Sequence, residues 1–221
     1  MKYFYLYIFI LSIFIIFVSY YNCKEGFTNN KKTYILLGDS ILKNDAYVLN
    51  GNSVENILIN KNADVVCYAQ DHSKIVDIYS QIDRIPMEFN SSNTIIFLSA
   101  GGNNILTHYV DQNNDMTDTS VLTPMFSSYK NLVKTIQTRL PNVKIVLLDI
   151  YYPNSIMYKQ YHTIIKEWNE MIYDFAGDLS NQIYSVIRIS RYLTQNDDFS
   201  FGIEPSSVGG EKIANLILQS Y

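Results

Sequence analysis

The sequence is poor in the residues that most often announce a function. It has two cysteines and three histidines in 221 residues. No Cys/His spacing matches a zinc site, and no Gly-Lys-Ser element of the phosphate-cradling kind is present. Neither a metal nor a cofactor is therefore expected. Positive charge is scarce as well: 17 Lys and Arg against 21 Asp and Glu give a net charge of -4, with the basic residues dispersed. That leaves no electrostatic footprint for nucleic acid as a partner. A disulfide between Cys23 and Cys67 would tie a segment beside the apolar N-terminus to the strand-like run ADVVCYA. Cys67 is instead read as a free, small core hydrophobe, and cysteine usage leaves the redox compartment open. No internal repeat occurs. The 19 tyrosines accompany abundant Asn, Ile, Lys and Phe, which reflects an AT-rich coding bias rather than an aromatic binding platform.

What the chain does have begins with MKYFYLYIFILSIFIIFVSYYNC. After Lys2 an apolar and aromatic run continues from Tyr3 to Tyr21. Roughly 20 apolar residues span a bilayer, whereas signal-peptide cores are about 7–15 residues long. Tyrosines cluster at both ends of the run, as in interfacial belts, and no A-x-A-like cleavage site follows. Residues 1–23 are read as an uncleaved signal anchor that makes this a single-pass membrane protein. A cleaved signal peptide and secretion are the alternative. Residues 24–32, polar and short, form a linker, and residues 33–221 a single domain with a sizeable core.

In that domain apolar runs alternate with helical patterns. Residues 33–38, 64–69, 94–102, 143–150 and 183–190 read as strands, continuous rather than alternating in hydrophobicity, as parallel strands buried on both faces are. Helices are expected at 52–61, 73–84, 123–140, 159–177 and 207–220, with Thr123 as an N-cap and Pro124 at the first helical position. DQNNDMTDTS (111–120) reads as a loop. The alternation implies a three-layer α/β fold with a parallel sheet, whose ligands sit at the carboxyl ends of strands. Gly38-Asp39-Ser40 and Gly101-Gly102-Asn103-Asn104 fall at two such ends.

GDSI after the first strand, GGNN after the third and GIEPSSVGGEKIANLI before the last helix resemble the ordered blocks of the SGNH/GDSL hydrolase superfamily. The resemblance covers residues 33–220. It implies a three-layer α/β/α, flavodoxin-like SGNH fold with a five-stranded parallel sheet in the order 2-1-3-4-5, here behind an N-terminal transmembrane helix. It also implies an ester hydrolase that works through an acyl-serine intermediate on a small-molecule ester or acylated substrate. By the same resemblance Ser40 is the nucleophile, and Asn103 helps hold the oxyanion. The N–H of Ser40 and a backbone N–H near Asp71-His72 complete the hole. The candidate catalytic set is Ser40, Asp39, Asn103 and Glu204. Taken without the resemblance, Gly38-Asp39-Ser40 would be a helix N-cap and Asn103 a turn residue.

Two departures from the family pattern stand out. The usual last block is D-x-x-H-P, and alignment puts Glu204 at the histidine and Phe201 at the aspartate. A glutamate, with an ordinary pKa of about 4.3 against about 6.5 for histidine, is the weaker base unless burial raises it. The block-two glycine position carries His72, which keeps a backbone N–H and is the alternative base. Yet the intact IEPSSVGG, with Ile41, Asn44, Tyr47 and Val48, resembles a branch of the superfamily that shares the I-E-P-S form. Asp197 and Asp198 are further candidates to orient a partner. His108 is assigned to the polar insertion and His162 to a helix surface. The rival to hydrolysis is a non-catalytic descendant that binds a carbohydrate or acylated ligand, and a third is a tethered structural protein.

Overall fold

The structure, a computed structural model, describes residues 32–111 and 119–220. The expected anchor and linker, apart from Lys32, and most of the 111–120 loop lie outside the described residues. Among the described residues no helix is long and apolar enough to cross a membrane.

Five parallel strands form one sheet: β1 (Thr33–Leu37), β2 (Asp64–Cys67), β3 (Thr94–Leu98), β4 (Lys144–Leu148) and β5 (Ser185–Ile187). Their order is β2-β1-β3-β4-β5, as expected. Side chains alternate across a strand, so the central strands β1, β3 and β4 feed two cores. Ile35, Leu37, Ile96, Leu98, Ile145 and Leu147 join one buried cluster with α2 (Ile75–Asp83), α4 (Leu122–Arg139) and α5 (His162–Gly177). Tyr34, Leu36, Ile95, Phe97, Val146 and Leu148 join the other, closed by α1 (Val54–Asn60) and α6 (Ser207–Gln219). The three layers follow from that division.

Several local expectations need correction. β2 is an edge strand and is only half-buried, so an apolar run did not require cover on both faces. Cys67 is a half-buried free thiol there, its pKa pushed up to about 12, chiefly by burial. β3 stops at Leu98 rather than running to Gly102, and Gly102–Leu106 form the short helix α3. Gly101 between them has φ +108°, and a Cβ there would lie 2.3 Å from the Trp168 ring. Only glycine fits. Helix α4 is capped two residues early, with Val121 rather than Thr123 at the N-cap. Burial of Leu122 draws the first turn inward, and Pro124 then falls at the third position, where an N–H has no intrahelical acceptor to lose. Other short elements were not anticipated either. Residues Thr107–Asp111 make a π-helical turn, and Phe199–Ser200 (β6) pairs antiparallel with Glu204–Pro205 (β7).

Candidate active site

At the carboxyl end of β1 the chain must turn sharply before α1. Gly38 does this at φ +132°, where a Cβ would sit 2.0 Å from the Ser99 carbonyl oxygen. Gln81, fully buried on α2, clamps the turn: its Oε1 accepts the Gly38 N–H and its Nε2 donates to the Gly38 carbonyl, both at 2.8 Å. The same Nε2 donates to Ser73 Oγ at 3.0 Å, so one amide joins the loop after β1 to the loop after β2. Asp39 Oδ1 accepts the Ser99 hydroxyl at 2.8 Å and the Ile41 N–H at 3.2 Å. Asp39 thus has the turn-capping role that its position alone suggests, and its carboxyl also lines the cleft beside Ser40. Burial, which outweighs these hydrogen bonds, raises its pKa to about 6. The N–H groups of Asp39, Ile41, Leu42 and Lys43 build the turn; that of Ser40 belongs to none of these bonds.

After β3, Gly101 starts α3 and presents Asn103 and Asn104 side by side. Asn103 Nδ2 donates to the Ser73 carbonyl at 3.0 Å, and Asn104 Oδ1 accepts the Ile75 N–H at 3.0 Å. Both asparagines therefore hold the second loop, and Nδ2 of Asn103 keeps one proton for another acceptor. A parallel device braces β4, where Asn169 on α5 exchanges two hydrogen bonds with Ile150, at 2.8 and 2.7 Å.

The last block reaches the first through Asn44, which is fully buried. Its Nδ2 donates to the Pro205 carbonyl at 3.1 Å and its Oδ1 accepts the Val54 N–H at 2.9 Å. Gly210 lets α6 approach it, since a Cβ would come within 2.7 Å of Asn44 Nδ2. Ser206 caps α6 by accepting from Val208 and Gly209 N–H, so Glu204 is not needed as the cap. Glu204 itself is half-buried, and its Oε2 is buried with no hydrogen-bond partner. Burial raises its pKa above the ordinary carboxylate range; interaction with the Ser40 hydroxyl opposes this, while Asp71 and Asp39 add to it.

Ser40, Asp39, Asn103 and Glu204 all line one cleft of about 550 Å³, counted out to its mouth. Ile105, Ile150, Tyr158 and Ile165 make its apolar wall. None of the three histidines is among the lining residues. His72 adopts φ +59°, the left-handed conformation that suits glycine, and its side chain is 79 % exposed, 3.4 Å from Asp71. Its N–H donates to Asp71 Oδ1 at 2.8 Å, and Tyr47 OH donates to Asp71 Oδ2 at 2.6 Å. His162 is not a free surface residue, because its Nε2 lies 2.9 Å from the Pro153 carbonyl. His108 packs its ring edgewise against Tyr109. Asp198 is fully buried, paired with Lys212 at 2.7 Å and accepting the N–H groups of Thr194 and Gln195. It braces the α6 entry. Phe201 is exposed at φ +51°, with its ring against Tyr47.

No protein-family model matches this chain, and no curated protein does. Solved structures do. A member of the lipolytic G-D-S-L family from Veillonella parvula superposes with a TM-score of 0.65 at 20% identity, over 85% of this chain and 97% of that one. The lipase Lip_vut3 from a goat rumen metagenome gives 0.68 at 17% identity, over 86% and 97%. The family 3 carbohydrate esterase of Clostridium thermocellum gives 0.60 at 19%, over 86% and 94%. The fold is that of the SGNH/GDSL hydrolases. Within a GDSL-like fold the elements that sequence reasoning missed are Gln81 and the β6–β7 hairpin. Gln81 carried one signal, a polar residue on the apolar face that Ile75, Ile78 and Ile82 define. The hairpin carried none, being two residues per strand.

Proposed function

We propose that this protein is an ester hydrolase that works through an acyl-Ser40 intermediate with Glu204 as the base. The observation that carries this is that Ser40, Asn103 and the half-buried Glu204 line one cleft, with the Glu204 Oε2 buried and without a hydrogen-bond partner. Ser40 Oγ attacks the ester carbonyl as its proton passes to Glu204, a role that the raised pKa favours. The oxyanion is held by the Ser40 N–H and the second Asn103 amide proton. Collapse expels the alcohol, which takes the proton back from Glu204. Water then attacks the acyl-enzyme by the same route, releasing the acid. Asp39 supports the turn and sets the field at the cleft. The outward direction of the His72 side chain favours Glu204 as base, and Asp71 occupies the N–H that a three-donor hole would use.

The direct test is a fluorophosphonate probe applied to the soluble fragment beginning near Lys32. Labelling is expected in the wild type and not in Ser40→Ala, along with hydrolysis of a short 4-nitrophenyl ester only in the wild type. A second reading, a non-catalytic cleft that binds a carbohydrate or acylated ligand, draws on the absence of any histidine from the cleft lining. It takes over if wild type and Ser40→Ala turn over equally.

The N-terminal run from Tyr3 to Tyr21 supports an uncleaved anchor, which would hold the domain at a membrane. The full-length chain is expected to stay in the pellet after carbonate extraction. A mature N-terminus near Lys24 would instead establish cleavage.

A further inference from the structure

The cleft is lined by two carboxylates and by neutral side chains. Asp39 and Glu204 stand among isoleucines, tyrosines and Asn103, and among the described residues no Lys, Arg or His lines the cleft. Basic groups nearby in the chain are engaged elsewhere: Lys43 pairs with Asp45 at 2.9 Å and Glu55 at 3.2 Å, and Lys212 with Asp198. A third carboxylate, Asp71, lies beyond the lining. It is not free to swing away, because Tyr47 OH and the His72 N–H hold one oxygen each. It stands two residues before Ser73, whose carbonyl the cleft-lining Asn103 grips at 3.0 Å, and in keeping with that place it raises the pKa values of both Asp39 and Glu204. His72 is exposed, and its Nε2, 3.4 Å from Asp71 Oδ2, offsets that charge only when the ring is protonated.

We propose that the cleft selects esters with no negative charge near the scissile bond, and that Asp71 is a residue that sets this selectivity. The proposal rests on the esterase reading of the same site. An anionic acyl group would enter a low-dielectric cleft facing carboxylates, with no cation to pair it and an apolar wall in place of water. The uncharged substrate meets none of that repulsion.

The test compares two 4-nitrophenyl esters that differ only in charge: the monoester of glutarate and its primary-amide analogue, glutaramate. Rates are taken at low salt after subtracting the Ser40→Ala background. The neutral ester is expected to be favoured by at least about tenfold in kcat/KM, which corresponds to about 1.4 kcal/mol. Added salt should narrow the ratio by screening. Asp71→Asn, which keeps the size and the Tyr47 contact, should bring it to within about threefold. Equal rates for the two esters in the wild type overturn the proposal, and that ratio does not depend on any change at Asp71. A ratio that stands unchanged in Asp71→Asn overturns the role of Asp71. If neither ester is turned over beyond background, the esterase reading fails separately. The charge rule is then read by calorimetric titration with the two corresponding 4-nitroanilides: tighter binding of the neutral one sustains it, and equal affinity sinks it.

Discussion

Replacing Glu204 by glutamine is expected to lower kcat toward a short neutral ester by about 10³-fold, within the range ascribed to general acid–base groups. Thermal stability should hardly change. The amide keeps the shape of the side chain and loses its basicity, and α6 remains capped by Ser206. The pH profile gives the sharper evidence. A base works deprotonated, so the rate must fall as pH drops through its folded-state pKa. Burial, aided by Asp71 and Asp39, raises that pKa, so the acid limb lies above the ordinary carboxylate range. Asp39, in the same cleft, titrates at about 6, so the limb reports two interacting carboxyls rather than one. In Glu204→Gln the part of the limb that belongs to residue 204 disappears. His72→Ala should leave rate and profile nearly unchanged, because its side chain is turned to solvent. The opposite pattern, a severe His72→Ala and a mild Glu204→Gln, would move the base to the loop after β2.

Gln81→Leu is expected to be the most damaging substitution away from the cleft lining. It strands the Gly38 N–H, the Gly38 carbonyl and the Ser73 hydroxyl, all buried. At about 1–3 kcal/mol for each buried group left unpaired, a loss of at least about 3 kcal/mol is expected. Denaturant melts of wild type and variant would measure it. Activity should fall by more than the folded fraction alone explains, because the same amide fixes the turn that carries Ser40 and the loop that Asn103 grips. A Gln81→Leu protein with wild-type melting and wild-type turnover would show that the clamp is dispensable.

Much of this architecture was readable in the chain because it rests on local pattern. The strand-like runs, the amphipathic helices between them and the blocks GDSI, GGNN and IEPS are contiguous stretches. Their physics (side-chain alternation, helical period, glycine at a turn) is expressed within a few residues. The order of the blocks along the chain placed Ser40 and Asn103 at strand ends, and the alignment placed Glu204 where a histidine is usual. What favours Glu204 over His72 as the proposed base is not local. It is which of the two lines the cleft, and that is set by contacts between residues far apart in sequence. Asn44 draws Pro205, and with it Glu204, to the first loop across 161 positions. The Asp71 carboxylate takes up the His72 N–H while the left-handed backbone turns the imidazole outward. Gln81 looked like one more helix residue until folding placed it against Gly38, 43 positions away. Residue types and their order determined the fold and named the candidates. Burial and long-range hydrogen bonds, which exist only once the layers have packed, decided which candidates line one cleft and that the Asp39 carboxyl is buried.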